Sequence, residues 1–216
     1  MVLPAAARVS GLVCLQGGAE FGARCVAMDT ELLDRSPAGY VAVLAGAAAP
    51  GREYEMASRT AIDYYARLTD RMVIAVDEPR VNPSAFVAAA RDAGVVVLPG
   101  GSPRRLLDVL SGTLRQALLQ VHDRGGSISG ASAGAMVLCT YAVMPGHGLA
   151  EGLGLVPGVA IPHFDGSNWW DLPLPPDVPR WGLPECGGIF YRAGSVEAVG
   201  SGSVERLVEG SSSTID

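Results

Sequence analysis

Four continuous apolar segments in the first half of the chain set the strongest limit on its fold. They are residues 11–18 (GLVCLQGG), 40–46 (YVAVLAG), 71–76 (RMVIAV) and 94–101 (GVVVLPGG). Short apolar runs of this kind are typical of strands that are buried on both faces of a parallel sheet. Between them, residues 54–68 and 82–94 carry apolar residues at helical spacing, and the second segment begins with an Asn82 cap and Pro83. This alternation predicts a doubly wound α/β domain with a mostly parallel sheet between two helical layers.

The remaining sequence fits the same single domain, residues 1–216. A chain of 216 residues that is 49% hydrophobic can bury one sizeable core. Residues 102–124 predict one or two helices, with Ser102 as N-cap and Gly125 after the end. Near the C-terminus, GGIFYRAG and VEAVG predict a small β-hairpin, and the serine-rich segment from about residue 205 predicts a frayed tail.

Charge excludes several classes of protein. The formal net charge is -6 with a pI near 5.1, so nothing indicates a site for a nucleic-acid backbone. All 16 basic residues are arginine, which rules out a P-loop lysine, a Schiff-base lysine and a Ser-Lys dyad. The segment LQGGAEFG lacks the glycine spacing of a dinucleotide-binding turn.

The cysteines and the apolar segments indicate a cytoplasmic protein. Cys14, Cys25, Cys139 and Cys186 are scattered without the spacing of metal ligands, as expected of core residues in a reducing compartment. No apolar stretch reaches the roughly 18 to 20 residues of a membrane span, and the N-terminus lacks the basic start of a signal peptide. The expected partner is therefore a small molecule and neither a membrane nor nucleic acid; the oligomeric state stays open, and a homodimer is one assembly that the sequence allows.

The stretch GASAGA, residues 130–135, is the first candidate for chemistry. It contains the Gly-x-Ser-x-Gly pattern of a nucleophile elbow, a sharp strand-to-helix turn that needs small residues around the serine. The strand-like SIS before it and the helical AGAMVLCTYAVM after it supply that context. With 28 glycines in the chain, the same pattern also arises as a plain small-residue turn, so Ser132 needs partners.

A serine nucleophile needs a base, and the chain has three histidines. His122 falls in the last turn of a helix, where an imidazolium interacts favourably with the dipole. His147, in PGHG, fits a surface loop. His163 ends the apolar run VAIP, so it is expected at the carboxyl end of a core strand, the edge where open α/β sheets gather their sites.

The oxyanion donors and the acid follow the same logic. We expect one donor N–H from Ala133 and a second from the pair Gly100–Gly101, although a Gly-Gly pair is also an ordinary turn. Little chain separates Ser132 from His163, which favours the order serine, histidine, acid. The candidate carboxylates are Glu151, Asp165, Asp171, Asp177, Glu185 and Glu197.

Four motifs in this order resemble the serine peptidases that comprise aspartyl dipeptidase (peptidase E) and cyanophycinase. They are LPGGS, GASAGA, GLGLVPGVAIPHFD and GLPECGGIFY, and the opening CLQGGAEF fits as well. The resemblance covers most of the chain and implies a fold similar to the class I glutamine amidotransferases (flavodoxin-like). It implies Ser132 as nucleophile, His163 as base, Glu185 as third member, and Gly101 and Ala133 as oxyanion donors. Ser102 departs from the Asn or Asp that is common there, and the residue that orients His163 stays open.

The resemblance also implies the chemistry: acyl transfer without metal or cofactor, on a small peptide with an acidic residue, such as an Asp-X dipeptide or a cyanophycin-like substrate. An arginine is then expected in the pocket, and Arg104 and Arg105 are the candidates beside Gly100. The alternatives are another serine esterase or amidase on the same scaffold, and a non-catalytic α/β binding module that keeps the elbow.

Overall fold

The computed structural model describes residues 10–144, 146, 148–167, 172–208 and 210–215. His147, Asp171 and the paired tryptophans Trp169 and Trp170 lie outside these ranges. The strands are β1 (Val13–Gln16), β2 (Tyr40–Val43), β3 (Val73–Ala75), β4 (Ala93–Leu98), β5 (Ser127–Ala131), β6 (Tyr141–Met144), β7 (Gly148–Glu151), β8 (Val159–Ile161), β9 (Arg180–Gly182), β10 (Gly187–Arg192), β11 (Ser195–Gly200), β12 (Val204–Val208) and β13 (Ser211–Ile215). The helices are α1 (Val26–Arg35), α2 (Arg52–Tyr65), α3 (Pro83–Asp92), α4 (Pro103–Val109), α5 (Gly112–Asp123) and α6 (Ala133–Leu138), and a single 3-10 turn covers Ala23–Cys25.

A seven-stranded sheet forms the centre of the fold, in the order β11-β10-β1-β5-β4-β2-β3. The strands β1, β5, β4, β2 and β3 are parallel, whereas β10 and β11 extend the sheet as an antiparallel hairpin beside β1. In the parallel part, Gln16 of β1 lies opposite Ala131 of β5, and Leu98 of β4 lies opposite Gly130. The loops that follow β1, β4 and β5 therefore leave the sheet at one edge.

Side chains of the central strands alternate between two hydrophobic layers. In β4, Val96 and Leu98 pack with α3, α4 and α5, while Val95 and Val97 pack with α1 and α2. The same alternation holds in β1, where Val13 and Leu15 face the first layer and Cys14 faces the second. Helices on both faces of a mostly parallel sheet confirm the three-layer α/β fold expected from the sequence.

The strand β3 is less buried than the sequence predicts, because it lies at the edge of the sheet. The sequence predicts burial on both faces for all four early strands, yet β3 is partly exposed, with Val73 and Ile74 half-buried and Ala75 exposed. It is the last strand of the sheet and pairs only with β2.

The predicted turns and caps are mostly confirmed. Ala193 and Gly194 connect β10 to β11 with φ of 50° and 90°, the left-handed pair that a two-residue hairpin turn requires. The Ser102 hydroxyl caps α4 by accepting the Arg105 N–H at 3.3 Å. Asn82 occupies the N-cap position of α3 without capping it, because its amide nitrogen donates to Asp77 and its oxygen accepts from Ser84.

A second, four-stranded sheet was not anticipated. Its order is β13-β12-β9-β8, so β8 lies outside the central sheet to which the sequence assigned it. The strands β12 and β13 take the place of the frayed tail expected from residue 205. They are held there because β12 pairs with β9 and the Arg206 guanidinium lies 5.3 Å from the ring centre of the buried Trp181.

A buried carboxylate joins the helical layer of α1 and α2 to the end of β1. Asp29 on α1 accepts hydrogen bonds from Gln16 Nε2 at 2.7 Å, from the Tyr64 hydroxyl at 2.8 Å and from the Tyr65 hydroxyl at 3.0 Å. Burial raises the pKa of Asp29, while these three donors oppose that rise by stabilising the anion. The Gln16 amide also donates to the Ser129 hydroxyl at 3.2 Å, so one polar network crosses from α1 to β5.

We expect Asp29→Ala to lower the free energy of unfolding by about 2–4 kcal/mol, because two tyrosine hydroxyls and an amide then lose their buried acceptor. Denaturant unfolding followed by circular dichroism measures this change. The matched control is Glu31→Ala, which removes an exposed carboxylate from the same helix and should change stability by less than about 0.5 kcal/mol. Equal stability of the two variants would show that the network contributes nothing.

Candidate active site

Ser132 lies in the turn between β5 and α6, in a backbone conformation that non-glycine residues rarely adopt. Its φ is 48° and its ψ is −106°. Sterics require glycine on both sides of this serine. A Cβ on Gly130 would lie 2.5 Å from the carbonyl carbon of Gly134, and a Cβ on Gly134 would lie 2.3 Å from the Leu98 carbonyl oxygen. The helix thus packs directly on the strands, and the strand-turn-helix that results, called the elbow below, has the geometry of a nucleophile elbow.

His163 follows β8 and reaches the elbow across the loop after β1. Its backbone N–H donates to the Gly17 carbonyl at 2.9 Å, and its own φ is 53°. A Cβ on Gly18 would lie 2.3 Å from Cε1 of the imidazole, so only glycine leaves room for the ring. The ring nitrogen Nε2 lies 3.1 Å from Ser132 Oγ. The histidine chosen from the sequence is therefore next to the serine, although the strand before it belongs to the smaller sheet.

Among the described residues, the carboxylate of Glu185 faces the other ring nitrogen of His163. Its Oε1 lies 3.3 Å from His163 Nδ1, and both side chains are about half exposed. Two other candidates are engaged elsewhere: Glu151 pairs with Arg115 at 3.3 Å, and Glu197 pairs with Arg35 at 2.8 Å. Serine, imidazole and carboxylate in this order form the arrangement that general-base activation of a hydroxyl requires.

Backbone donors lie beside the serine. A Cβ on Gly100 would lie 3.3 Å from Ser132 Cβ, so the loop after β4 touches the elbow. The N–H groups of Gly101 and Ala133 have no acceptor within the described part of the chain. From the sequence, the Gly100 N–H was a candidate for a free oxyanion donor. In the structure it already donates a hydrogen bond to Glu20 Oε1 at 2.8 Å.

Sequence reasoning missed two charged residues at this site. Glu20 lies in the loop after β1 and contacts Gly100. Arg24 follows in the 3-10 turn, with Nη2 3.9 Å from Glu185 Oε2. The available signal was the parallel topology itself, since the loop after β1 must leave the sheet beside the elbow after β5.

Arg104 and Arg105 lie exposed on the first turn of α4. The Arg105 guanidinium is 3.8 Å from Glu53 on α2. Within the described residues, no group of three or more His, Cys, Asp or Glu could hold a metal ion, and no helix is long and apolar enough to cross a membrane. The cavity of about 670 Å³ between α2 and the segment after β3 contains none of the three residues Ser132, His163 and Glu185.

His122 is remote from the elbow and largely buried at the end of α5. Burial lowers its pKa, against the opposing effect of Asp123, so the structure disfavours the imidazolium that the sequence suggested. Its folded-state pKa lies below the ordinary value of 6.5, and the unfolded chain therefore takes up this proton first as the pH falls.

This difference predicts how His122 affects acid stability. Between about pH 7.5 and pH 5.5, we expect the wild type to lose more free energy of unfolding than His122→Gln, because only the wild type gains a proton at position 122 on unfolding. Denaturant titrations at both pH values measure the two losses. A variant whose stability falls as steeply as that of the wild type would contradict the prediction.

Comparisons with known proteins agree with this architecture. Residues 71–170 match the model of peptidase family S51, a range that includes Gly100, Ser132 and His163. A peptidase from an acI-B1 Actinobacterium has the same fold, with a TM-score of 0.78, 24% identity and coverage of 96% of this chain and 98% of its own. A protein assigned as peptidase E from Listeria monocytogenes EGD-e aligns with a TM-score of 0.67 and 15% identity over 89% of this chain and 100% of its own. No curated protein matches the chain. The chain is therefore similar to peptidase family S51 over residues 71–170, and it shares the fold of these two solved structures.

Proposed function

We propose that this chain is a serine peptidase that cleaves small peptides through an acyl-enzyme, with Ser132 as the nucleophile. The observation that carries the proposal is the continuous contact from Ser132 Oγ through the His163 ring to Glu185, at 3.1 Å and 3.3 Å. The family match supports peptidase activity, and the strained elbow supports the choice of serine.

The reaction follows from the order of these groups. His163 Nε2 accepts the Ser132 proton as Oγ attacks the carbonyl carbon of the peptide bond. The imidazolium that forms is oriented and stabilised by Glu185 at Nδ1, and it then donates the proton to the leaving amine. The N–H groups of Gly101 and Ala133 would stabilise the oxyanion. A water molecule, deprotonated by the same imidazole, attacks the ester carbonyl and releases Ser132.

For the substrate, we propose a short peptide with an acidic residue, such as an Asp-X dipeptide. An arginine is expected to pair with the acidic side chain of this substrate. Arg104 and Arg105 were the sequence candidates; Arg105 lies 3.8 Å from Glu53, much as Arg24 lies 3.9 Å from Glu185, so an ion-pair contact does not separate these two arginines. Arg24 is closer to the chemistry, because it approaches Glu185 while its side chain stays 65% exposed. We therefore favour Arg24 as the residue that pairs with the substrate carboxylate.

The nucleophile and the triad are tested together. We expect a fluorophosphonate to label Ser132 in the wild type, and Ser132→Ala to abolish both labelling and hydrolysis of Asp-Leu. Glu185→Gln should lower kcat by about 100-fold or more, since the amide no longer stabilises the imidazolium. Mass spectrometry of the labelled protein and a ninhydrin assay of the released amine are the measurements.

Glu151→Gln is the matched control, because Glu151 is an exposed carboxylate paired with Arg115 away from the elbow. It should retain wild-type kcat. Well-folded protein that is not labelled would refute the serine-peptidase proposal and favour a binding module. Cleavage of a p-nitrophenyl ester without cleavage of Asp-Leu would favour an esterase on the same scaffold.

The arginine assignment predicts a selective loss. Arg24→Gln should raise the KM for Asp-Leu at least tenfold and leave the KM for Asn-Leu unchanged, because only the acidic side chain needs the guanidinium. Arg104→Gln and Arg105→Gln serve as matched controls. The same selective loss in either control would move the role to that residue, and a fall in kcat for both peptides in Arg24→Gln would mean that Arg24 acts by positioning Glu185.

A further inference from the structure

Glu20 lies beside the nucleophile with its carboxylate anchored at one oxygen. Its Oε1 accepts the Gly100 N–H at 2.8 Å. A Cβ on Gly100 would meet both this oxygen, at 2.8 Å, and Ser132 Cβ, at 3.3 Å. The Glu20 carboxylate and the Ser132 side chain therefore both lie against Gly100, which places Glu20 close to the serine.

The loop that carries Glu20 is fixed on several sides. Ala19 and Phe21, its two neighbours, have φ of 53° and 67°, in the left-handed region that non-glycine residues rarely adopt. The Ala19 carbonyl accepts the thiols of Cys25 at 3.2 Å and Cys186 at 3.4 Å, and burial raises the pKa of Cys25 to about 12, which keeps it a thiol donor. The Phe21 ring lies 5.5 Å from the ring of Tyr64. A strained loop with this many anchors holds Glu20 in one place.

The Glu20 carboxylate has no positively charged partner among the described residues. Within the described residues, no arginine lies within ion-pair distance of Glu20. The other carboxylates near the site cannot supply a positive charge: Asp29 is buried on α1, and Glu185 lies 3.3 Å from Nδ1 of the His163 ring. A half-buried anion next to the reacting bond, with one oxygen anchored, is suited to a positively charged group on the substrate.

We propose that the Glu20 carboxylate binds a positively charged group of the substrate, an ammonium or a guanidinium, next to the bond that Ser132 attacks. The inference rests on the proposed serine-peptidase function and adds the charge that the substrate must carry. An α-ammonium group and a basic side chain share the chemistry that Glu20 recognises, and the experiment separates these two sources.

Covalent probes report recognition at Ser132 without needing the natural substrate. The first pair is diphenyl 1-aminoethylphosphonate, which carries a free ammonium group, and its N-acetyl derivative. The second pair is the N-acetylated diphenyl phosphonate analogues of arginine and of citrulline. In each case Ser132 Oγ forms a bond to phosphorus and phenol leaves, so the second-order labelling rate measures binding beside the nucleophile.

We expect the wild type to react at least tenfold faster with the charged member of one pair, and the pair that shows the preference identifies the source of the cation. In Glu20→Gln this preference should fall below twofold, because the amide oxygen still accepts the Gly100 N–H but the charge is gone. Glu31→Gln, which removes an exposed carboxylate from α1, should keep the wild-type preference.

Three outcomes decide against the proposal. A tenfold preference that persists in Glu20→Gln would mean that Glu20 only orders the Gly100 loop. Wild-type labelling at equal rates within both pairs would refute the cation site and leave the serine-peptidase proposal standing. Failure of all four probes and of the fluorophosphonate would refute the proposed function and this inference with it.

A measurement on the wild type guards against misfolding of Glu20→Gln. Raising the salt concentration from about 0.02 M to about 0.5 M should reduce the preference for the charged probe several-fold, because the attraction at this half-buried carboxylate is partly screened. A preference independent of salt would count against a charge interaction.

Discussion

The close contact of α6 with the central sheet is the constraint on which the site depends. Gly130 and Gly134 allow the helix to approach β4 and β5 more closely than any side chain would permit, and in the turn between strand and helix Ser132 has a φ of 48°. Such strain persists only where the surroundings fix it. The Ser132 N–H donates to the Gln16 carbonyl at 2.9 Å, and the Gln16 side chain is held by Asp29, so the buried carboxylate network also stabilises the elbow.

One loop links the three parts of the site. The Gly17 carbonyl accepts the backbone N–H of His163, and the Gly18 carbonyl accepts the backbone N–H of Cys186, which follows Glu185 directly. The imidazole and its carboxylate thus take their positions from the loop after β1, which also carries Glu20. Because Glu185 is half exposed, solvent weakens its electrostatic contact with the His163 ring, and the backbone contacts of the loop add to that contact in fixing the position of the ring.

The arrangement around Glu20, Glu185 and Arg24 gives the site charges of both signs within a small region. An amino-terminal acidic residue carries both complementary charges, an α-ammonium group and a side-chain carboxylate. The proposed cation site at Glu20 and the proposed anion site at Arg24 would therefore be compatible within one short substrate.

Local sequence was sufficient for the elbow and the fold class. Apolar runs and helical spacing depend on near neighbours, so they predicted the parallel sheet and its helical layers, while the pattern GASAGA and the end of the run VAIP selected Ser132 and His163. The choice of Glu185 among six carboxylates came from resemblance, since no local pattern separates it from Glu151. The second sheet, the position of His163 outside the central sheet and the contact of Glu20 with Gly100 were decided only by tertiary structure. These features join segments that are remote along the chain, and their pairing depends on how the whole chain packs, which residue spacing does not encode.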